Sequence, residues 1–236
     1  MNYANMFTAE AWAEFVKVWQ SGEFYVGIWA TLYSTLFATA LALVIGLPLG
    51  VLLVAGEENG VMPLPKWLMG ALNVIINILR SVPFLILMIM VIPLSRVIFG
   101  TSVGTKGMLV PLIVAAFPFI ARLMESSLRE VDQGVIEAAQ SMGATPMQII
   151  WKVMLPESLP SLISQATTAM TTILGYGAMA GSIGGDGLGK IAISYGYNRG
   201  KPLIMLVAVV FLVIVVILFQ SIGTRLTQRS DKRLRQ

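Results

Sequence analysis

The glycine-rich run 184–190, GGDGLGK, in this 236-residue sequence matches the first part of a phosphate-binding loop pattern. Loops of this kind hold nucleotide phosphates when they follow a strand and when Ser or Thr follows the lysine and binds magnesium. Here Ile191 follows the lysine, and no strand-like segment precedes the loop. We therefore interpret these glycines as a turn of the chain and not as a nucleotide site.

Histidine and cysteine are both absent. Their absence removes the commonest metal ligand, the usual general base, thiolate nucleophiles and disulfides. The sequence also lacks an HExxH motif, and it offers no pair of carboxylates within an apolar segment. We therefore expect no catalytic site, no metal site, no cofactor bound to this chain and no enzymatic activity.

A second polar group consists of Asn73, Asn77 and Arg80, which follow one another at helical spacing inside an apolar segment. A charged side chain deep in a bilayer costs about 2.5–3.5 kcal/mol on insertion scales and usually faces a cavity or another helix. Three interpretations stay open for Arg80. It has a structural role, in which it snorkels or ties its helix to a neighbouring carbonyl and holds a dimer together; it takes part in gating; or it contacts a substrate carboxylate directly.

The composition of the rest of the chain is typical of membrane helices. The chain is 56% apolar and only 12% charged, whereas soluble domains carry about 25% charged residues. Long apolar runs suit helices, since a bilayer core needs about 20 apolar residues per span. We predict an all-α polytopic protein with about five spans, at about 25–55, 67–94, 106–124, 158–182 and 203–223. We predict that residues 25–224 form a single transmembrane domain.

The two ends of the chain differ in charge. The tail 225–236 carries five basic residues, whereas the segment 1–24 is net acidic. By the positive-inside rule the tail is cytoplasmic and the N-terminus lies outside. We interpret the basic tail as a topology signal beside anionic lipid, and not as a nucleic-acid site. Trp12, Phe15, Val16 and Trp19 share one helical face, which indicates an external helix lying on the membrane.

The predicted cytoplasmic loop 130–157 carries signals for two short helices. Asp132 suits the first N-cap, and Gly143 suits the position after the first helix, where positive φ is common. Thr145 suits the N-cap of the second helix, since Pro146 follows at the first helical position and Gln148 lies three residues after the cap. Two apolar faces follow from the spacing: Val135, Ala138, Ala139 and Met142 on the first helix, and Met147, Ile150, Trp151 and Met154 on the second. From the residues alone, the loop either docks in a groove or rests on the membrane.

This loop resembles the EAA loop of ABC importer permeases. That pattern has Glu-Ala-Ala, then a glycine, then Ile-x-Leu-Pro; this chain has Glu137 to Ala139, Gly143, and Val153 before Leu155-Pro156, with only Ile replaced by Val. The resemblance implies that the loop docks in a cleft of a separate ATPase subunit. The implied coupling residues are Glu137, Ala138, Ala139, Gly143, Ala144, Thr145, Met147, Leu155 and Pro156.

Four further segments, 79–104, 117–128, 143–149 and 184–199, are similar to the permeases of methionine importers. This resemblance implies the type I ABC importer fold in the bacterial plasma (inner) membrane. It also implies a homodimer, two cytoplasmic ABC ATPase subunits that hold ATP and magnesium, an external substrate-binding (lipo)protein and methionine as the substrate. A permease for another small zwitterion, such as glycine betaine or a different amino acid, remains the alternative.

The resemblance also assigns residues to the path of the substrate. The fourth predicted span keeps one side small, with Gly177 and Gly181 as a small-xxx-small pair. In the family the corresponding helix lines the pathway, so we expect pathway or gate residues there and on the second span. They are Met179, Tyr176, Arg80 and Asn77. The expected contacts to the binding protein are Gly187, Gly189, Tyr195, Tyr197 and Asn198.

Overall fold

The computed structural model describes residues 6–231, and every regular element in that range is a helix. The first five helices are α1 (Ala9–Gln20), α2 (Glu23–Ala55), α3 (Lys66–Ser81), α4 (Phe84–Phe99) and α5 (Gly104–Leu128). Two short helices follow, α6 (Gln133–Ser141) and α7 (146–157), and then α8 (Leu159–Ala180), α9 (188–198) and α10 (Pro202–Ser230). The all-α prediction is confirmed. The tail residues Lys232, Arg233 and Arg235 lie outside the described range.

Three of the described helices are long and apolar enough to cross a membrane by themselves, namely α2, α5 and α10. The bent pair α3 and α4 passes the same test only when taken together, as a broken span or as a re-entrant loop. Helix α8 is 22 residues long but carries several Ser, Thr and Gly residues, which lower its hydropathy. The count of five spans stays a prediction.

The predicted span 67–94 is divided into α3 and α4 at Val82 and Pro83. Proline has no N–H to donate and disfavours helical geometry in the residue before it. Val82 is accordingly extended, with φ −76° and ψ 126°. The break therefore follows directly from the sequence at this point.

The chain forms two compact units. The first comprises Met1–Ala38, Phe84–Val114 and Met170–Phe219. Its core joins Val18 and Phe24 to the buried residues Leu188, Ile191, Ile204 and Ala208. Phe15 and Trp19 pack against this core, whereas Trp12 is exposed. Only part of the predicted interfacial face of α1 is therefore free to contact lipid.

The second unit comprises Thr39–Pro83, Ala115–Ala169 and Gln220–Gln236. Leu53 of α2, Ile76 of α3 and Ala121 of α5 form a buried cluster in it. The unit also contains α6 and α7, so the predicted coupling loop folds together with the ends of the helices beside it.

Candidate functional site

The first corner of the coupling loop, between α6 and α7, is built by local backbone rules. Asp132 caps α6, and its carboxylate accepts a hydrogen bond from the Gly134 N–H at 2.7 Å. Gly143 follows the helix with φ +79°, and the Ala144 N–H donates to the Ala139 carbonyl at 3.1 Å. A positive φ costs most L-residues about 1–2 kcal/mol but costs glycine almost nothing. The predicted role of Gly143 in the turn is confirmed.

Helix α7 starts with the predicted capping box. The Thr145 hydroxyl accepts from the Gln148 N–H at 3.4 Å, and the Gln148 side chain accepts from the Thr145 N–H at 2.9 Å. Residues Ile150–Met154 are π-helical, and Leu155–Glu157 complete the helix. The two reciprocal hydrogen bonds fix where α7 begins, directly after the Gly143 turn.

The two apolar faces predicted for the loop are each divided between the interior and the surface, so the predicted grouping is wrong in part. Ala139, Ile150 and Met154 are buried, together with Ile136 and Ile149. Val135, Ala138, Met142, Met147 and Trp151 are exposed, Met142 by 81% and Trp151 by 65%. The buried set anchors the loop, and the exposed set is an apolar surface that we call the loop knob.

The other predicted coupling residues surround the loop knob. Glu137, Thr145 and Pro156 are exposed, and Ala144 and Leu155 are half-buried. Large exposed apolar side chains rimmed by polar groups typically mark contact surfaces. The exposed apolar residues and their polar neighbours are therefore suited to contact a partner.

The predicted pathway residues on α8 differ in their surroundings. The Tyr176 ring stacks on Phe84, with ring centroids 4.2 Å apart and an interplanar angle of 6°. Met179 is 49% exposed. A Cβ at Gly177 would meet no atom within 4 Å, whereas one at Gly181 would lie 2.3 Å from the Lys190 nitrogen. Of the small-xxx-small pair, only Gly181 is explained by packing within the chain.

A polar network that was not predicted from the sequence joins α3 and α5. Arg122 donates to Asn73 Oδ1 at 2.7 Å, to Asn77 Oδ1 at 3.0 Å and to Glu125 Oε2 at 2.7 Å. The i, i+3 spacing of Arg122 and Glu125 on a helix was the signal that could have revealed the ion pair. Asn77 is thus tied to a neighbouring helix, and Arg80 is exposed.

The network extends to the end of α2. Arg129 hydrogen-bonds Glu125 at 2.8 Å and binds both oxygens of Glu57, at 2.6 and 3.0 Å. The hydrogen bond from Arg129 lowers the pKa of Glu57, and the same partners raise the pKa of Arg129. Both groups therefore remain charged at neutral pH.

The glycine-rich run 184–190 is organised around Asp186. Its carboxylate accepts from the Thr105 N–H at 2.9 Å, the Thr105 hydroxyl at 3.2 Å and Lys190 Nζ at 3.0 Å. Partial burial acts to raise the pKa of Asp186, but Lys190 and Thr105 outweigh it and hold the pKa below its ordinary value of 3.8. Lys190 is engaged with a carboxylate, so the arrangement is a structural turn.

We expect Asp186→Asn to reduce the stability of the folded chain by about 1 kcal/mol at pH 7. The three donor groups, two on Thr105 and one on Lys190, then lose a charged acceptor at a partly exposed site. The pKa of Asp186 is lowered on folding, so its contribution is full above about pH 4 and falls as the pH drops through the native pKa. Thermal unfolding in detergent should show a gap between wild type and variant that closes in acid. Glu58→Gln, which removes an exposed ion pair with Lys66, should change little at either pH. A gap that persists unchanged in acid would contradict this account.

The predicted contacts to a binding protein need one correction. Gly187 and Gly189 are buried, and a Cβ at Gly189 would lie 2.2 Å from the Ala178 carbonyl oxygen. These two glycines allow close packing and offer no surface to a partner. Tyr197 and Asn198 are exposed, Tyr197 by 72%. Tyr195 is half-buried, donates to Glu23 at 2.5 Å and lies under the Arg199 guanidinium.

Comparison with known proteins agrees with this architecture. Residues 46–236 match the family described as "Binding-protein-dependent transport system inner membrane component". The probable D-methionine transport system permease protein MetI of Vibrio cholerae is 50% identical over 208 residues, which are 87% of this chain and 91% of that protein. The methionine import system permease protein MetP of Bacillus subtilis is 46% identical over 159 residues, 67% of this chain and 72% of that protein.

Solved structures give the same result for the fold. Inward-facing conformations of the MetNI methionine ABC transporter include a chain 40% identical to this one, with a TM-score of 0.86 over 98% of this chain and 100% of that chain. An amino acid ABC transporter at 18% identity, with a TM-score of 0.73 over 91% of this chain and 97% of that chain, shares the fold. The predicted type I importer fold is confirmed. The chain therefore belongs to the binding-protein-dependent transport system inner membrane component family, and it is a permease subunit of the bacterial inner membrane.

Proposed function

We propose that two copies of this chain form the transmembrane pathway of an ATP-driven importer of methionine. The main observation in support of this mechanism is the loop knob. It is an exposed apolar surface on a loop whose other apolar residues are buried. The names of the relatives from Vibrio cholerae and Bacillus subtilis support methionine as the substrate.

The partners follow from the same proposal. The loop knob docks on one of two cytoplasmic ATPase subunits, which bind ATP and magnesium. The basic tail is then cytoplasmic, beside anionic lipid, and α1 lies outside. The exposed residues Tyr197 and Asn198, with Tyr195 beside them, face an external binding protein.

The loop acts as a rigid element in this mechanism. Closure of the ATPase pair on ATP displaces α6 and α7, and the buried residues Ile136, Ile149 and Met154 transfer the displacement to the rest of the second unit. A ligand moves a two-state equilibrium only by binding the two states unequally. ATP therefore selects between inward-facing and outward-facing states through the ATPase, and this chain makes and breaks no bond.

The pathway residues are proposed on the same basis. Met179 is exposed on the same helix as Tyr176, which is held by its stack on Phe84. A methionine side chain is apolar and adaptable, which suits a gate that must pass a small apolar amino acid. Arg80 and Asn77 contribute polar groups at the break between α3 and α4.

Uptake of labelled methionine tests the substrate. A strain that lacks this chain and every other methionine importer should regain saturable uptake when wild type is supplied. Excess unlabelled methionine should compete, whereas excess glycine betaine should not. Uptake that betaine or an unrelated amino acid abolishes, with no effect of methionine, would assign the permease to another small zwitterion.

A further inference from the structure

Arg122 is the centre of the polar network between α3 and α5. It lies in the last part of α5, and its side chain is only 20% exposed. Its guanidinium contacts Asn73, Asn77 and Glu125. A planar guanidinium presents donors at fixed angles, so this one side chain sets the register of α3 along α5.

The contacts of Arg122 continue towards the coupling loop. Glu125, whose side chain is 11% exposed, accepts hydrogen bonds from Arg122 and from Arg129. Arg129 also binds the Glu57 carboxylate, and it precedes Asp132, the cap of α6, by three residues. A continuous series of charged contacts thus leads from the start of the coupling loop, along α5, to α3.

Apolar contacts lie beside this network. Ile76 and Ala121 share a buried cluster with Leu53, and the packing of these side chains constrains how α3 lies on α5. Hydrophobic attraction is itself non-directional, so the hydrogen bonds of Arg122 add a directional constraint to that packing.

We propose that Arg122 is the positioning residue that makes α3 move together with α5 when the coupling loop is displaced. Helix α3 carries Asn77 and Arg80 and ends at the Val82-Pro83 break, so its movement reaches the proposed pathway. This inference rests on the proposed function, because it takes the ATPase as the source of the displacement.

Arg122→Lys tests the proposal in the reconstituted transporter with its ATPase. Lysine keeps the positive charge but is a point charge, unable to hold the two asparagines and Glu125 at once. We expect the amount of substrate moved per ATP hydrolysed to fall by about tenfold. The rate of ATP hydrolysis should stay near that of wild type, and the folded transporter should still be recovered at wild-type yield.

A second substitution removes one of the same contacts from α3. Asn73→Ala leaves the Arg122–Glu125 ion pair and the proposed pathway residue Asn77 intact, and should reproduce part of the loss. Arg122→Lys combined with Asn73→Ala should lose no more than Arg122→Lys alone, since the lysine already removes that contact. Lys66→Gln, at the exposed start of α3, serves as the control and should transport as wild type.

A substrate-free readout separates this proposal from the assignment of the substrate. The chain has no cysteine, so Ser81→Cys gives each copy of the chain a single thiol, exposed at the end of α3. Its alkylation rate should differ between the nucleotide-free and ATP-bound transporter, and Arg122→Lys should abolish that difference. An unchanged difference in Arg122→Lys, no difference in wild type, or an equal loss of hydrolysis and transport would overturn the proposal. A wrong substrate would leave the alkylation result intact.

Discussion

Gly143→Asp is expected to abolish transport while the chain is still inserted in normal amounts. The backbone at Gly143 has φ +79°, and a Cβ there would meet no atom within 4 Å. The folding cost is therefore limited to backbone strain of about 1–2 kcal/mol. The new carboxylate, however, projects beside the loop knob, and an unpaired charge buried on docking costs about 2–5 kcal/mol. Affinity for the ATPase should fall by about 30-fold or more.

Gly100→Asp is the matched control. Gly100 has φ +73°, and a Cβ there also meets no atom within 4 Å. The same strain and the same charge are thus introduced away from the coupling loop. Co-purification with the ATPase and labelled uptake should be lost for Gly143→Asp and retained for Gly100→Asp. If Gly143→Asp still binds its ATPase and transports normally, the loop knob is not the docking surface.

Gly189→Val is expected to prevent correct folding of the first unit. A Cβ at Gly189 would lie 2.2 Å from the Ala178 carbonyl oxygen and 2.5 Å from the Ala178 Cα. Both atoms belong to the backbone, so no side-chain rotation relieves the overlap. Overpacking in a rigid core costs about 1–3 kcal/mol and more where the backbone must shift. The yield of monodisperse protein after detergent extraction should drop several-fold.

Gly177→Ala provides the comparison for this prediction. Gly177 lies in α8, one residue from Ala178, and has open space around it. Alanine favours a helix interior over glycine by about 1 kcal/mol. Its yield and melting temperature should equal or exceed those of wild type. Equal yields of Gly189→Val and Gly177→Ala would show that the contact with Ala178 is not essential to the fold.

The parts of the structure that follow from short stretches of sequence could be predicted. The Asp132 cap, the positive φ at Gly143 and the capping box at Thr145 each depend on residues within a few positions of one another. The apolar runs of α2 and α10 exceed the length of a bilayer core. Local chemistry was sufficient in each of these cases.

The parts that depend on distant residues could not be predicted in the same way. Periodicity showed that α6 and α7 have apolar residues at helical spacing, but it could not tell that Ile136 and Ile149 face inward while Met142 and Trp151 face outward. The burial of Gly189 depends on Ala178, in another helix. The contact of Arg122 with Asn73 joins residues 49 positions apart, and single-sequence patterns contain no information on such a pairing.

The exposure of the loop knob also affects the steady-state amount of this protein in the cell. In the isolated chain Met142, Met147 and Trp151 are exposed, and chaperones and proteases act on exposed apolar surface of this kind. A partner that binds the knob covers this surface and, by mass action, lowers the fraction of the chain that is open to degradation. With the ATPase docked on the knob as proposed, the supply of the ATPase would set the number of permease molecules that persist.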